Sequence, residues 1–310
     1  MSGCLQNRYS SCLPHGSRLY TVEAAFFEEK HTMGKISYTW SLMKASMDVL
    51  MKDKELLLFS LLSGICCILV LVSFAVPMFS TGYIKELPGK NAPVNEQVMY
   101  YGILFLYYFI NYFIIVFFNS AIISCALMRM KGGNPTLSDG FSAAMSRLPY
   151  IAGWALLAAT VGLILRIIED RSEKFGRIVA GLLGMAWTVV TFLAVPVLVV
   201  ERKGPIDAFK ESAKLLKSTW GEQLIGNFGF GLIFFLLQIP GVLLIILGIF
   251  MGTPAVYVMI GLGILYFIVV ALMQSALQAI FQAAVYLYAR EGQAGDAFDE
   301  GMLRGAMRQR

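Results

Sequence analysis

Six long apolar runs constrain this chain more than any other feature. They cover residues 57–79, 100–126, 149–168, 178–200, 224–250 and 255–289. A bilayer's hydrocarbon core is about 30 Å thick, and a spanning helix needs ~20 mostly apolar residues to cross it. Every run reaches that length. No water is present at that depth to satisfy backbone N–H and C=O groups, so such a run has to be helical. The sequence therefore predicts an all-α polytopic membrane protein with six transmembrane helices. A charged fraction of only 15%, gathered between the runs, agrees with this.

Basic residues set the expected orientation, because Lys and Arg are retained on the cytoplasmic side. With the N-terminus inside, 16 basic residues from Met33 onward are cytoplasmic, among them Lys44, Lys131, Arg147, Lys203 and Arg290. Six lie outside: Lys85, Lys90, Arg166, Arg171, Lys174 and Arg177. Both termini are thus expected to be cytoplasmic, in the cell (inner) membrane. Residues 1–32 have no apolar core after a basic start, so they do not read as a signal peptide. They also lack periodicity, and Met33 opens the first patterned segment. The chain is read as an extension over 1–32, disordered or misassigned as coding, a membrane domain over 33–290 and a short cytoplasmic tail over 291–310.

Before each pair of spans the sequence carries helical periodicity in a polar segment. Ile36, Trp40, Met43, Met47 and Leu50 form the first stripe, and Leu137, Phe141, Ala144 and Leu148 the second. The third comprises Ile206, Phe209, Ala213, Leu216 and Trp220, with Lys210, Lys214 and Lys217 opposite. Thr136-x-x-Asp139 has the form of a capping box. The pattern predicts three hairpins of two spans, each preceded by a cytoplasmic amphipathic helix. Apolar stripes of this kind enter the headgroup boundary while lysines meet anionic lipid, which makes Lys210, Lys214 and Lys217 a candidate lipid-facing basic helix.

Three segments carry a resemblance: PVLVVERKGPIDAFKESAKLLKSTWGE at 196–222, GKISYTWSLMKAS at 34–46 and WALLAATVGLILRIIEDR at 154–171. They resemble a family of uncharacterised six-pass prokaryotic integral membrane proteins, a domain of unknown function, over about Met33 to Arg290. A more distant likeness links Glu201, Gly204, Ala208, Ser212 and Trp220 to the membrane domain fused to some glycerophosphodiester phosphodiesterases. The first resemblance implies an all-helical membrane fold and no known activity. The catalytic barrel of the second has no counterpart here, so its activity does not transfer.

Chemistry is sparse. The only histidines are His15 and His31, both in the 1–32 segment, and no metalloprotease, nucleophile-elbow or phosphate-loop motif occurs. Cys66, Cys67 and Cys125 lie inside apolar runs, Cys4 and Cys12 in the extension, and no CxxC pair is present. No catalytic residue, metal site or cofactor is expected, and no nucleic acid partner. Polar residues within the spans are the remaining signal. Gln274, Gln278 and Gln282 recur every four residues, Asn111 and Asn119 lie eight apart, and Gln238 precedes Pro240-Gly241. These six are a candidate polar lane for a small solute, or amides bonding between helices.

Arg166 stands near the outer end of span 3, and its spacing to Asp170 suits an i,i+4 pair, as do Asp170–Lys174 and Glu173–Arg177. Small residues at Gly176, Ala180, Gly184 and Thr188 on span 4, and at Ala155, Ala158, Ala159 and Gly162 on span 3, predict a close approach of these two spans. The expected function is a non-catalytic, membrane-embedded accessory protein or lipid-interacting scaffold, with membrane lipids and other membrane proteins as its partners. The alternative is a channel or transporter using the polar lane.

Overall fold

The computed structural model describes residues 35–80, 93–171, 175–218, 220–251 and 255–292. The extension over 1–32, the tail beyond 292, Lys90, and the Asp170–Lys174 and Glu173–Arg177 pairs lie outside the described residues. So do the side chains of Ile36 and Trp220. All regular structure among the described residues is helical. α1 (Lys35–Lys52) turns into α2 (Leu56–Ser80), and α3 (Val94–Met130) is followed by the short α4 (Leu137–Met145). Then come α5 (Leu148–Arg171), α6 (Phe175–Val190), α7 (Ala194–Glu201), α8 (Pro205–Ser218), α9 (Trp220–Met251) and α10 (Ala255–Glu291). Six stretches are long and apolar enough to cross a membrane: α2, α3, α5, α6 together with α7, α9 and α10.

α3 and α10 are the axis of the bundle. Each has 37 residues. At 1.5 Å per residue that is about 55 Å, well beyond the ~30 Å of a bilayer core. α3 packs against α2, α4, α5, α7 and α10, while α10 also packs against α1, α2, α7 and α9. Their C-terminal halves hold the core: Ala121, Ile122, Ile123 and Ala126 on α3, and Ala276, Leu277, Ile280, Phe281, Ala283 and Ala284 on α10, are all essentially inaccessible. The many alanines bring helix backbones close. Elsewhere the spans keep large apolar side chains exposed, such as Phe79 on α2, Leu182 on α6, Phe250 on α9 and Leu265 on α10. In a bilayer such a surface meets acyl chains.

Span 4 departs from the expected continuous run. α6 ends at Val190, residues 191–193 form a turn, and α7 begins at Ala194. Pro196 supplies the physical reason, since it has no N–H to give to the carbonyl of Phe192 and its ring crowds that carbonyl. The break is enclosed, with Phe192, Leu193 and Ala194 all buried. Its freed backbone groups are met from α8. The Ser212 hydroxyl donates to the Val190 carbonyl (2.6 Å) and accepts from the Leu193 N–H (3.2 Å). Pro240 leaves α9 unbroken, and nearby the Tyr266 hydroxyl of α10 donates to the Leu237 carbonyl at 2.5 Å.

The three short helices are drawn into the bundle: α4 by its expected stripe, with Ala144 buried and Leu137 and Phe141 against the core, and α1 and α8 on faces turned from theirs. On α1 the buried residues are Leu42, Met43, Ala45, Ser46, Val49 and Leu50, and Trp40 is 56% exposed. On α8 they are Ala208, Ser212, Leu215 and Leu216, with Phe209 half-buried and Ile206 63% exposed. Residue type misplaces the stripe here, because Ser212 is polar yet buried, with its hydroxyl fully employed at the span 4 break. α4 starts as expected: the Thr136 hydroxyl accepts from the Asp139 N–H, and the Asp139 carboxylate accepts from the Thr136 N–H. Gly140 on α4 lies so close to Phe59 and Cys125 that a Cβ there would stand 2.6 Å from the Phe59 ring.

The small residues of span 3 serve two neighbours. Ala155, Ala158 and Ala159 are buried, but Gly162 faces Tyr108 and Tyr112 of α3, where an added Cβ would stand 3.5–3.6 Å from their rings. On α6 a Cβ added at Gly184 would stand 3.8 Å from Leu165, and the two helices pack together, which is the expected approach of spans 3 and 4.

Candidate functional site

Ion pairs concentrate at the end of the bundle that carries α1, α4 and α8. Glu201 closes α7, Arg290 stands in the last turn of α10, Lys203 lies in the connection just before α8, and Glu211 lies within α8. These four form one knot. Arg290 donates to Glu201 and, at 2.7 Å, to Glu211. The Lys203 ammonium bridges the same carboxylates, at 2.8 Å from Glu201 and 3.1 Å from Glu211. The Tyr286 hydroxyl donates to Glu201 at 3.0 Å. Two cations thus face two carboxylates, and the knot joins spans 4 and 6 to α8. Hydrogen bonds from Lys203 and then Arg290 hold the Glu211 carboxyl below its ordinary value, against the opposing effect of burial. Glu201 and Glu211 hold Lys203 above its own.

A second tie joins α3 to the turn after α1. Arg129 grips both carboxylate oxygens of Asp53 through Nε and Nη2, and also donates to the Asn134 side-chain oxygen at 2.6 Å. Asp53 is 8% exposed, and its carboxylate is bonded by this guanidinium. Lys131 bonds Glu291 at 2.6 Å across the ends of α3 and α10. Arg147 donates to the Val199 carbonyl of α7 at 2.9 Å.

The aromatic side chains continue the same architecture. Trp154 of α5 stacks on Trp187 of α6 (centroids 6.0 Å, planes 15° apart), and Trp187 stacks on Phe209 of α8 (5.7 Å, 19°). Ser212 and Phe209 therefore seat α8 against span 4 from one side, while Glu211 fastens it to Arg290. The remaining face presents Lys210, Lys214 and Lys217, all exposed.

The six candidate lane residues are all half-buried. Asn111 spends its amide on the Tyr107 carbonyl of its own helix, at 2.9 Å. Gln278 and Gln282 are the half-buried positions of a segment whose other residues from Ala276 to Tyr288 are buried, and Gln274 lies just before it. Gln238 lies on α9, where the neighbouring Leu237 and Ile239 are exposed. At the opposite end, Arg166 does pair with Asp170 (3.3 Å) and also with Glu169 (3.2 Å), which Arg177 approaches at 3.8 Å. Among the described residues no cluster of His, Cys, Asp or Glu is arranged to hold a metal ion.

The knot was invisible to spacing rules, because Glu201 and Arg290 are 89 residues apart. The available signal was the density of charge at 201–211 and the terminal position of Arg290 on an apolar run. The Ser212 plug had a sequence signal in Pro196.

Residues 98–298 of the chain match the family model described as a family of unknown function, DUF6159. No curated protein matches. The matched stretch is well over half of the chain and includes the knot, the broken span 4, α8 and spans 2 to 6, and this chain belongs to that family.

Proposed function

We propose that this six-span member of a family of unknown function is a non-catalytic accessory protein or scaffold that engages lipid at the inner leaflet of the cell membrane. In this reading the spans form three hairpins, each preceded by a cytoplasmic helix, and both termini are cytoplasmic. The observation that carries it is α8. Its buried face is fixed by Ser212, Phe209 and Glu211, which leaves Lys210, Lys214 and Lys217 exposed at the ends of the spans. A row of ammonium groups held there meets anionic headgroups, each contributing about 1 kcal/mol. The charges of the knot are mutually satisfied, as in a structural clamp. Membrane lipids are the direct partners, and other membrane proteins would dock on the spans.

The test uses the whole protein, because Phe209 packs on Trp187 and an isolated α8 would expose it. Cysteines introduced at Lys90 or Thr253 should label from outside, and one at Lys214 should not. In proteoliposomes, doping phosphatidylcholine with phosphatidylglycerol should protect α8 from protease, and a K210Q/K214Q/K217Q variant should lose that protection at low salt. External labelling at Lys214, or protection indifferent to the lysines, overturns the reading. Solute flux lost specifically in Gln278→Leu would favour the polar-lane transporter instead.

A further inference from the structure

Beside the knot lies a pocket of about 280 Å³ between the ends of α3, α7 and α10 and the Arg147 turn. Its walls are unequal. Leu127 and Leu287 give it an apolar floor, while Lys131, Arg147 and Arg290 bring three cations to the rim against a single lining carboxylate, Glu291. Arg290 is already engaged by Glu201 and Glu211, and Lys131 by Glu291. Arg147 differs from both. Its Nε is anchored to the Val199 carbonyl, and Nη1 reaches only the Ser146 hydroxyl (3.0 Å) and carbonyl (3.4 Å). Among the described residues no carboxylate pairs with it.

The neighbourhood adds to the imbalance. Arg202 stands just beyond α7 in the left-handed backbone region, with φ of 54°. A residue with a side chain seldom adopts that conformation. Burial first, and then the charge of Arg202, push the Arg147 guanidinium below its ordinary value. Arg147, which lines the pocket, is anchored through neutral groups alone and feels the positive charge of Arg202, so the pocket is short of an anion. A planar guanidinium suits two oxygens of a phosphate, and an ammonium adds a point charge to the same group.

We propose that this pocket binds the phosphate of an anionic amphiphile, with Arg147 and Lys131 as its recognition groups and the Leu127–Leu287 floor against the first methylenes of the chain. This deepens the lipid-engaging reading and rests on it. The shared chemistry is a phosphate, which a phospholipid headgroup or the free ion could supply. The apolar floor assigns the lipid, since free phosphate gains nothing from it. The site is separate from the exposed lysines of α8, which would touch the leaflet as a surface and select no single molecule.

The experiment measures retained lipid by native mass spectrometry, together with thermal unfolding, for the full chain in micelles. The additives are phosphatidylglycerol, phosphatidylcholine and inorganic phosphate. One phosphatidylglycerol should be held in preference to phosphatidylcholine and should raise the melting temperature more. Arg147→Gln should weaken that binding by about fivefold or more, the worth of one charge near a headgroup. Lys131 is half-exposed, so Lys131→Gln should fold normally and weaken binding in the same direction. It keeps the test alive if Arg147→Gln does not fold. Equal retention of phosphatidylglycerol by wild type and both variants, or equal retention of the two lipids, overturns the site. Stabilisation by inorganic phosphate alone, with no gain from phosphatidylglycerol, overturns its assignment to lipid. The K210Q/K214Q/K217Q variant should still hold the one lipid. If that variant also keeps its vesicle response, the α8 reading fails while this site stands.

Discussion

The C-terminal half of α10 and its N-terminal half belong to one helix, yet they meet different surroundings. From Ala276 to Tyr288 nearly every position is enclosed, and the sequence there is rich in Ala with Gln between. From Val256 to Val269 the residues are larger, and Tyr257, Val258, Ile264, Leu265 and Ile268 are exposed. Overall hydrophobicity separates the two halves poorly, since apolar residues dominate both. Size and polarity separate them better. Where helices pack on helices, small side chains allow close approach and polar ties fix the register. Where lipid is the neighbour, large aliphatic groups suffice. Among the described residues, every long-range ion pair that ties together the ends of spans 1, 2, 4 and 6 lies at the enclosed end.

The strongest way to break this contrast is to remove Arg129. Asp53 would keep a nearly buried charge without a partner, a change that costs about 3–5 kcal/mol. Melting in micelles should fall steeply for Arg129→Ala and much less for the neutral pair Asp53→Asn/Arg129→Gln. Equal melting of wild type and Arg129→Ala would mean that the enclosed end is held by packing alone.

Two glycines sharpen it further. At Gly140 a Cβ would lie 2.6 Å from the Phe59 ring and 2.8 Å from the Cys125 sulfur. Gly140→Ala should therefore destabilise by about 1–3 kcal/mol, the usual range for overpacking. At Gly261, in the lipid-facing half of α10, nothing lies within 4 Å. Gly261→Ala should be neutral or stabilise by up to about 1 kcal/mol through helix propensity. Similar melting shifts for both would erase the distinction between the halves.

The smallest effect concerns pH. Glu211 has its folded pKa held below the unfolded one by Lys203 and Arg290. Its contribution is complete above the unfolded value of about 4.3 and is lost as pH falls through the folded value. Acid should therefore loosen α8 by about 1 kcal/mol or less, the range of partly exposed pairs. Tryptophan emission, with Trp187 against Phe209, should report the change. Glu211→Gln should flatten it, and an unchanged profile would show that the clamp does not hold α8.

The six spans were legible because length and apolarity are local properties that a bilayer makes decisive. The capping box at Thr136 and the Arg166–Asp170 pair were legible for the same reason, as each partner lies within one helical turn. The enclosed face of α8 was not. Its stripe was assigned by residue type, and Ser212 is buried only because a carbonyl from another helix needs it. The knot joining Glu201, Glu211 and Arg290 depends on where three helix ends come together. No periodicity within a single segment carries that information.

The Ser212 plug has a consequence for how the chain is built. Val190 and Leu193 are made before Ser212, and until it arrives the break in span 4 has a free carbonyl and a free N–H. An unpaired polar group costs several kcal/mol in hydrocarbon. The break in span 4 gains these two bonds only after residue 212 has been made and α8 lies against it. The order of synthesis thus makes spans 1 to 3 the early scaffold. Span 4 becomes a late-closing piece, completed by a hydroxyl that arrives 22 residues after the carbonyl it satisfies.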